Sequence, residues 1–136
     1  MPCVIVDLDD PWEYITPNAV MCTTSDPSER KLLKYLNWSS IRYNNDTMVI
    51  LAWQALTDDI ASVSGWVVNS RAYMFIARRI YAAFREFLHS LRVQGYKWIH
   101  ASTLKTNNQG IRFNQHAGYK RVSEDDALIY WELANG

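Results

Sequence analysis

A mixed α/β sheet with helices laid against it is the fold that this 136-residue sequence predicts, and three observations predict it. Between Ser70 and Gly95 the residues Tyr73, Ala77, Ile80, Tyr81, Phe84, Leu88 and Leu91 recur at three- and four-residue steps, the period of a long helix with one buried face. Strand-like runs flank it, Ile60 to Val68 before and Lys97 to Thr103 after, and a crossover of this length joins parallel neighbours, not a hairpin. Finally, Thr106 to Val122 reads as a short helix between two strands. The expected order is β-α-α-β-β-β-α-β-α-β-β in one domain over residues 1–136, because a hydrophobic content of 49% fills one core and the length is too small for two ordinary domains.

In chain order, Pro2 to Leu8 is β-branched and ends at the acidic turn Asp9-Asp10-Pro11, which reads as a first strand. Asp10 caps a short helix with Pro11 at its first position, and Thr16-Pro17 stops it, since a residue before proline is pushed out of the helical region. Ser25-Asp26-Pro27-Ser28-Glu29 combines cap, proline and early acid, so Pro27 to Trp38 is expected to be an amphipathic helix with Leu32, Leu33, Tyr35 and Leu36 inward. Ser39 to Asn44 is a strand, Asn44-Asn45-Asp46 a tight turn, and Thr47 to Leu56 a strand apolar enough to be buried on both faces. Thr57-Asp58-Asp59 turns the chain into Ile60 to Val68, completing an antiparallel meander. After the long helix and its partner strand come the short helix, the strand Tyr119 to Val122, the acidic turn Glu124-Asp125-Asp126 and a closing strand from Ala127 to Leu133.

Lys plus Arg equals Asp plus Glu over the whole chain, but the charges are segregated. Residues 71 to 121 hold ten Lys/Arg against one acid, Glu86, a balance of +9; residues 1 to 70 carry −5 and 122 to 136 carry −4. Arg71, Arg78, Arg85 and Arg92 stand seven apart on the polar face of the long helix. Such a half faces an anion: a phosphate-rich cofactor and a nucleic acid both fit, with the cofactor favoured, and so does pairing with the chain's own acidic segments. Cys3 and Cys22 lack metal-ligand spacing and read as packing residues, and with no secretion signal or apolar run of membrane-spanning length the expected setting is reducing and cytosolic, with no membrane partner.

Chemistry concentrates at the short helix. Asn107 and Asn108 are N-cap types, Ile111, Phe113 and Ala117 give an apolar face, and Gly118 closes the helix before Tyr119. The string Thr106 to Val122 resembles the second signature of the GCN5-related N-acetyltransferases, the GNAT superfamily. The resemblance implies a GNAT-like fold, acetyl-CoA as cofactor and acyl transfer to an amine. It places Asn107 on the pantetheine arm and lays that arm in the gap where the strands around the long helix splay, against backbone groups of Trp66, Val67 and Val68. In the family the pyrophosphate sits on the amino end of the long helix at a glycine-rich turn. Here Arg78 and Ile80 occupy the two glycine positions, and no glycine occurs between Gly65 and Gly95. The expectation is a segment that stays helical from Arg71 through Ala77, with its amides used within the helix and with Arg78 and Arg79 replacing the backbone cradle by bidentate contacts.

The family's acid, a tyrosine seven residues after the signature asparagine, corresponds to Asn114, which cannot give up a proton in that role. Tyr81 and His116 are the substitutes within reach of the pattern; a solvated histidine near a helix end is the plainer reading of His116. His100 is either a base acting through water or a satisfied core histidine, the second being preferred. Asp58 and Asp59 read as turn residues. A narrower resemblance, carried by Glu13 to Pro17, Trp66 to Ser70 and Gly110 to Arg121, is to the small internal virion proteins of T7-like bacteriophages, a divergent GNAT-like group without the glycine turn. It implies a phage origin and a role as modifier of host molecules, binder of a host protein or virion component. Two readings follow: an acetyl-CoA-dependent N-acyltransferase with Val67, Val68, Arg78, Arg79 and Asn107 on the cofactor, or a scaffold without catalysis that grips a partner.

Overall fold

The computed structural model describes residues 3–7, 20–21, 37–68 and 70–133. Its strands are β1 (Val4–Asp7), β2 (Val20–Met21), β3 (Asn37–Tyr43), β4 (Asp46–Ala55), β5 (Ile60–Val67), β6 (Trp98–Leu104), β7 (Tyr119–Glu124) and β8 (Leu128–Leu133). Helix α1 (Ser70–Val93) joins β5 to β6, and helix α2 (Asn108–Ala117) joins β6 to β7. The sheet runs β1-β3-β4-β5-β6-β8-β7, with β2 paired to β5 beside this path. Only β5 and β6 are parallel, as the helical crossover requires; every other pair is antiparallel.

Local chemistry explains the joints. Asn44 and Asn45 adopt φ of 52° and 68°, the double left-handed turn whose twist matches a hairpin, so β3 and β4 are joined by two residues. Along β4, Met48 to Ala52 are all buried, so both of its faces are covered, as its unbroken apolar run predicts. The apolar stripe of α1, with Ile80, Phe84, Leu88 and Leu91 at most 1% exposed, meets Val49, Leu51, Val63 and Ile99 of the sheet in one core. Helix α2 adds Phe113 and Ala117 to it. Phe113 sets its ring edgewise to Phe84 at 4.9 Å between centroids.

Three features differ from the sequence expectation. The helices expected between Asp10 and Trp38 lie outside the described residues, except that Asn37 and Trp38 already belong to β3, where they pair with Trp53 and Ala52. The two-residue strand β2 has no counterpart in the expected order. Helix α1 is not continuous: Ile76, at φ −123° and ψ 20°, divides it into two helical segments. The segment therefore does not stay helical through Ala77. Ile76 is β-branched and half-buried against the core while Met74 and Phe75 point outward, and the helix is broken at the residue that anchors it.

At its other end α1 closes on Gly95, whose φ of 112° lets the Gly95 N–H bond the Arg92 carbonyl at 3.0 Å and the Tyr96 N–H bond the Leu91 carbonyl at 3.2 Å. A Cβ at Gly95 would meet no atom within 4 Å, so Gly95→Ala isolates the backbone cost. It should lower unfolding free energy by roughly 1–2 kcal/mol, measured by urea denaturation. In the β7–β8 turn, Asp125 accepts from the N–H groups of Ala127 and Leu128 and from the Tyr130 hydroxyl at 2.7 Å. The tyrosine bond first, then the two backbone bonds, holds its carboxyl below the usual aspartate value. A depressed carboxyl stabilises the fold above the unfolded value and loses that contribution as pH falls through the folded one. NMR titration should place the Asp125 midpoint lower in wild type than in Tyr130→Phe.

Candidate functional site

Strands β5 and β6 are bonded for only three rungs, Ile60 with Trp98, Ala61 with Ile99 and Ser62 with His100. Beyond Ser62 they part: β6 pairs with β8 from His100 to Leu104, and β5 keeps β4 as far as Val67. The gap predicted between these strands is thus present. The edge of β5 turned toward it is taken up at Trp66 and Val67 by the chain itself, through β2, where Val20 pairs with Val67 and Met21 with Trp66. Val67 is fully buried, and the N–H of Val68 donates to the Met48 carbonyl at 2.9 Å. The backbone groups expected to face a pantetheine arm therefore have partners within the chain.

The break at Ile76 lies on the same side of the chain crossing, at the start of α1's second segment. A helix that begins afresh presents N–H groups without carbonyl partners from the preceding turn, together with the positive end of its dipole. Around the break is a concavity of about 640 Å³ lined by Tyr43, Met74, Phe75, Ile76, Arg78 and Arg79. Arg79 donates to the Tyr43 hydroxyl at 2.6 Å and lies 5.3 Å from the centroid of that ring. Arg78 is exposed and makes no salt bridge among the described residues. Farther along, the basic stripe is structural: Arg85 donates to the His116 carbonyl and Arg92 to the Leu133 carbonyl, each at 3.1 Å. The seven-residue spacing puts Arg78, Arg85 and Arg92 on one polar face, but Arg85 and Arg92 of that face are spent on carbonyls.

On α2, Asn107 is the N-cap, its Oδ1 accepting from the Gly110 N–H at 3.0 Å. Gly118 ends the helix at φ 99°. Asn114, at the position of the family's acid, is completely buried, and neither its Nδ2 nor its Oδ1 has a hydrogen-bond partner among the described residues. Tyr81 and His116 come together, with ring centroids 4.9 Å apart and planes within 16°, while Tyr81 also meets Phe113 edgewise. His116 is exposed, in keeping with the plainer reading of it. His100 is not a core histidine: it is partly exposed and its Nε2 is 3.0 Å from Glu132 Oε2 across the β6–β8 rung. The sequence signal for this pair was an acid and a histidine on alternating strands, but it needs the register before it becomes visible. Asp59 holds the turn, its carbonyl accepting from the Trp98 N–H, so it serves the strand crossing as a turn residue.

Among the described residues no group of three or more His, Cys, Asp or Glu is placed to hold a metal, and no helix is long and apolar enough to cross a membrane. No protein-family model and no curated protein sequence matches the chain. Its fold, however, is that of GNAT acetyltransferases. It is similar to a GNAT family acetyltransferase from Elizabethkingia anophelis with acetyl-CoA bound, at 10% identity and a TM-score of 0.71, over 96% of this chain and 97% of that one. It is similar also to the ribosomal-protein-S18-alanine N-acetyltransferase from Escherichia coli, at 15% identity and a TM-score of 0.70, over 96% and 92% of the two chains. A third is the IAA acetyltransferase from Bacillus cereus, at 11% identity and 0.68, over 96% and 98%.

The buried Asn114 amide is costly, since an unpaired polar group out of water costs roughly 1–3 kcal/mol. Asn114→Leu keeps the shape and removes the polar atoms. It should raise unfolding free energy by about 1 kcal/mol in urea denaturation, and a destabilised variant would mean that the amide is bonded to internal water.

Proposed function

We propose that this chain binds an acyl-coenzyme A through its phosphates and acts as an N-acyltransferase on an amine. One observation carries the reading: the parallel pair β5–β6 opens after three rungs beside a helix that breaks at Ile76 and there presents Arg78 and Arg79. The break supports a phosphate site where the absence of glycine argued against one, because it gives α1 a second amino end at the place where the family has its turn. Arg78 is free to close on an oxygen, and Arg79, oriented by Tyr43, supplies a second guanidinium. Bound acetyl-CoA would supply an activated thioester for attack by the amine.

The chain's own groups would handle protons and position. The amine must lose a proton, and the His100–Glu132 pair, where β5 and β6 part, is built to accept it: the carboxylate takes the Nε2–H and fixes the tautomer, leaving Nδ1 as the acceptor. Asn107 is held by its cap bond at the end of β6, and contact with the pantetheine arm is its proposed second role. Val67 serves that arm only if β2 is displaced, since it is paired there, and the Val68 N–H is already taken by Met48 of β4. Protonation of the leaving thiolate has no strong candidate: an amide such as Asn114 cannot give up a proton, and the stacked Tyr81 and His116 are the remaining choices.

That gap is the observation favouring the second reading, a GNAT scaffold of bacteriophage origin that has lost catalysis and binds a host protein or serves in the virion. Calorimetric titration with acetyl-CoA separates the two. The acyltransferase reading expects binding that Arg78→Ala with Arg79→Ala weakens by about 2–3 kcal/mol, with a shallower dependence on salt, since two charged hydrogen-bonding groups are lost. No heat from wild type would leave the scaffold reading standing.

A further inference from the structure

Two side chains just before the break in α1 are large, apolar and open to solvent. Phe75 is 85% exposed and Met74 73%, and both line the concavity that holds Arg78 and Arg79. An exposed phenylalanine normally gains by turning inward, and here the break at Ile76 is what turns it outward. A flat aromatic face and a thioether beside guanidinium groups match a ligand with a planar base at one end and phosphate at the other: the ring stacks the base, the arginines take the oxygens. The charge agrees, since the stretch from residue 71 to 121 has Glu86 as its only acid. Meanwhile the β5 edge that would hold the opposite, phosphate-free end of coenzyme A is paired with β2 at Trp66 and Val67.

We infer that Phe75 and Met74, with Arg78, form a subsite for the adenine nucleotide, so that this chain recognises its ligand by the nucleoside diphosphate end and not by the pantetheine arm. The inference rests on the acyl-coenzyme A reading for the identity of the natural ligand, but the subsite itself is defined by base and diphosphate alone. Arg79 and Tyr43 fix the floor of the subsite through their hydrogen bond and ring contact. Selectivity among bases is low, because every base has a face to stack and, among the described residues, no side chain lining the concavity other than Tyr43 carries a hydrogen-bonding group that is not a guanidinium.

Calorimetric titrations of wild type, Phe75→Ala, Phe75→Trp and Arg78→Ala with coenzyme A, ADP, inorganic pyrophosphate, pantetheine and a short single-stranded oligonucleotide test this. Wild type should bind ADP within about tenfold of coenzyme A and pantetheine far more weakly than either. Phe75→Ala should lower ADP affinity about tenfold, the order that base stacking supplies, and leave pyrophosphate unchanged; Phe75→Trp should keep or raise it. Arg78→Ala should weaken ADP and pyrophosphate alike. Phe75 is exposed, so its truncation leaves the core intact, and unchanged circular dichroism confirms that. Equal ADP affinity in wild type and Phe75→Ala, pantetheine binding as tightly as coenzyme A, an oligonucleotide binding far more tightly than ADP, or no ADP binding at all would each overturn the inference. Coenzyme A bound with no dependence on Phe75 defeats this subsite and leaves the acyltransferase reading intact. ADP bound through Phe75 by a protein that ignores acetyl-CoA does the reverse.

Discussion

Every backbone N–H and C=O in a sheet interior needs a partner, and β5 is the strand on which that requirement bears hardest. It stands mid-sheet, with β4 along one edge for seven rungs and β6 along the other for three. The crossover through α1 brings β6 back parallel at Ile60 to Ser62, and β8 then draws β6 away, bonding it from His100 onward. Much else follows from that divergence. It leaves an edge that β2 takes at Trp66 and Val67, and it puts the His100–Glu132 pair at the fork.

The elements themselves were legible because their causes are local. The double asparagine turn, the glycine stops at Gly95 and Gly118, the Asn107 cap and the unbroken apolar run of β4 each act within a few residues, and each is found where the sequence puts it. What was not legible depends on partners distant in sequence. The pairing of β2 needs the far edge of β5, and the carboxylate beside His100 needs a register between strands some thirty residues apart. Ile76 carries no proline or glycine to announce a break; its conformation is set by tertiary packing of Ile76 and Ala77 against the core while Met74 and Phe75 stay in solvent.

The arginines show how one residue type divides its work along a helix. Arg85 and Arg92 satisfy the last carbonyls of α2 and β8, where orphan acceptors and the negative end of a helix dipole favour a cation. Arg78 and Arg79 sit earlier, beside the break, where Arg79 donates to the Tyr43 hydroxyl. Tyr119 lies close to Arg92 and is wholly buried, with its hydroxyl pushed up by desolvation and only partly relieved by the guanidinium. Arg92 therefore tempers a buried phenol while it closes a strand. Residues of one charge and one spacing thus do different work, Arg85 and Arg92 on backbone carbonyls and Arg78 exposed beside the break.

The two outer strands of the described sheet meet solvent on unequal terms. β7 is bulged between Arg121 and Ser123 and carries Lys120, Arg121 and Glu124 outward, with Glu124 bonded to both Arg121 and Lys105. A bent, charged border of that kind refuses another strand. β1 is straight in its register with β3 and leaves Val4 and Val6 51% and 38% exposed. Among the described residues the amino-terminal border therefore lacks the bulge and the run of outward charges that blunt the other one, and two valines stand there in their place.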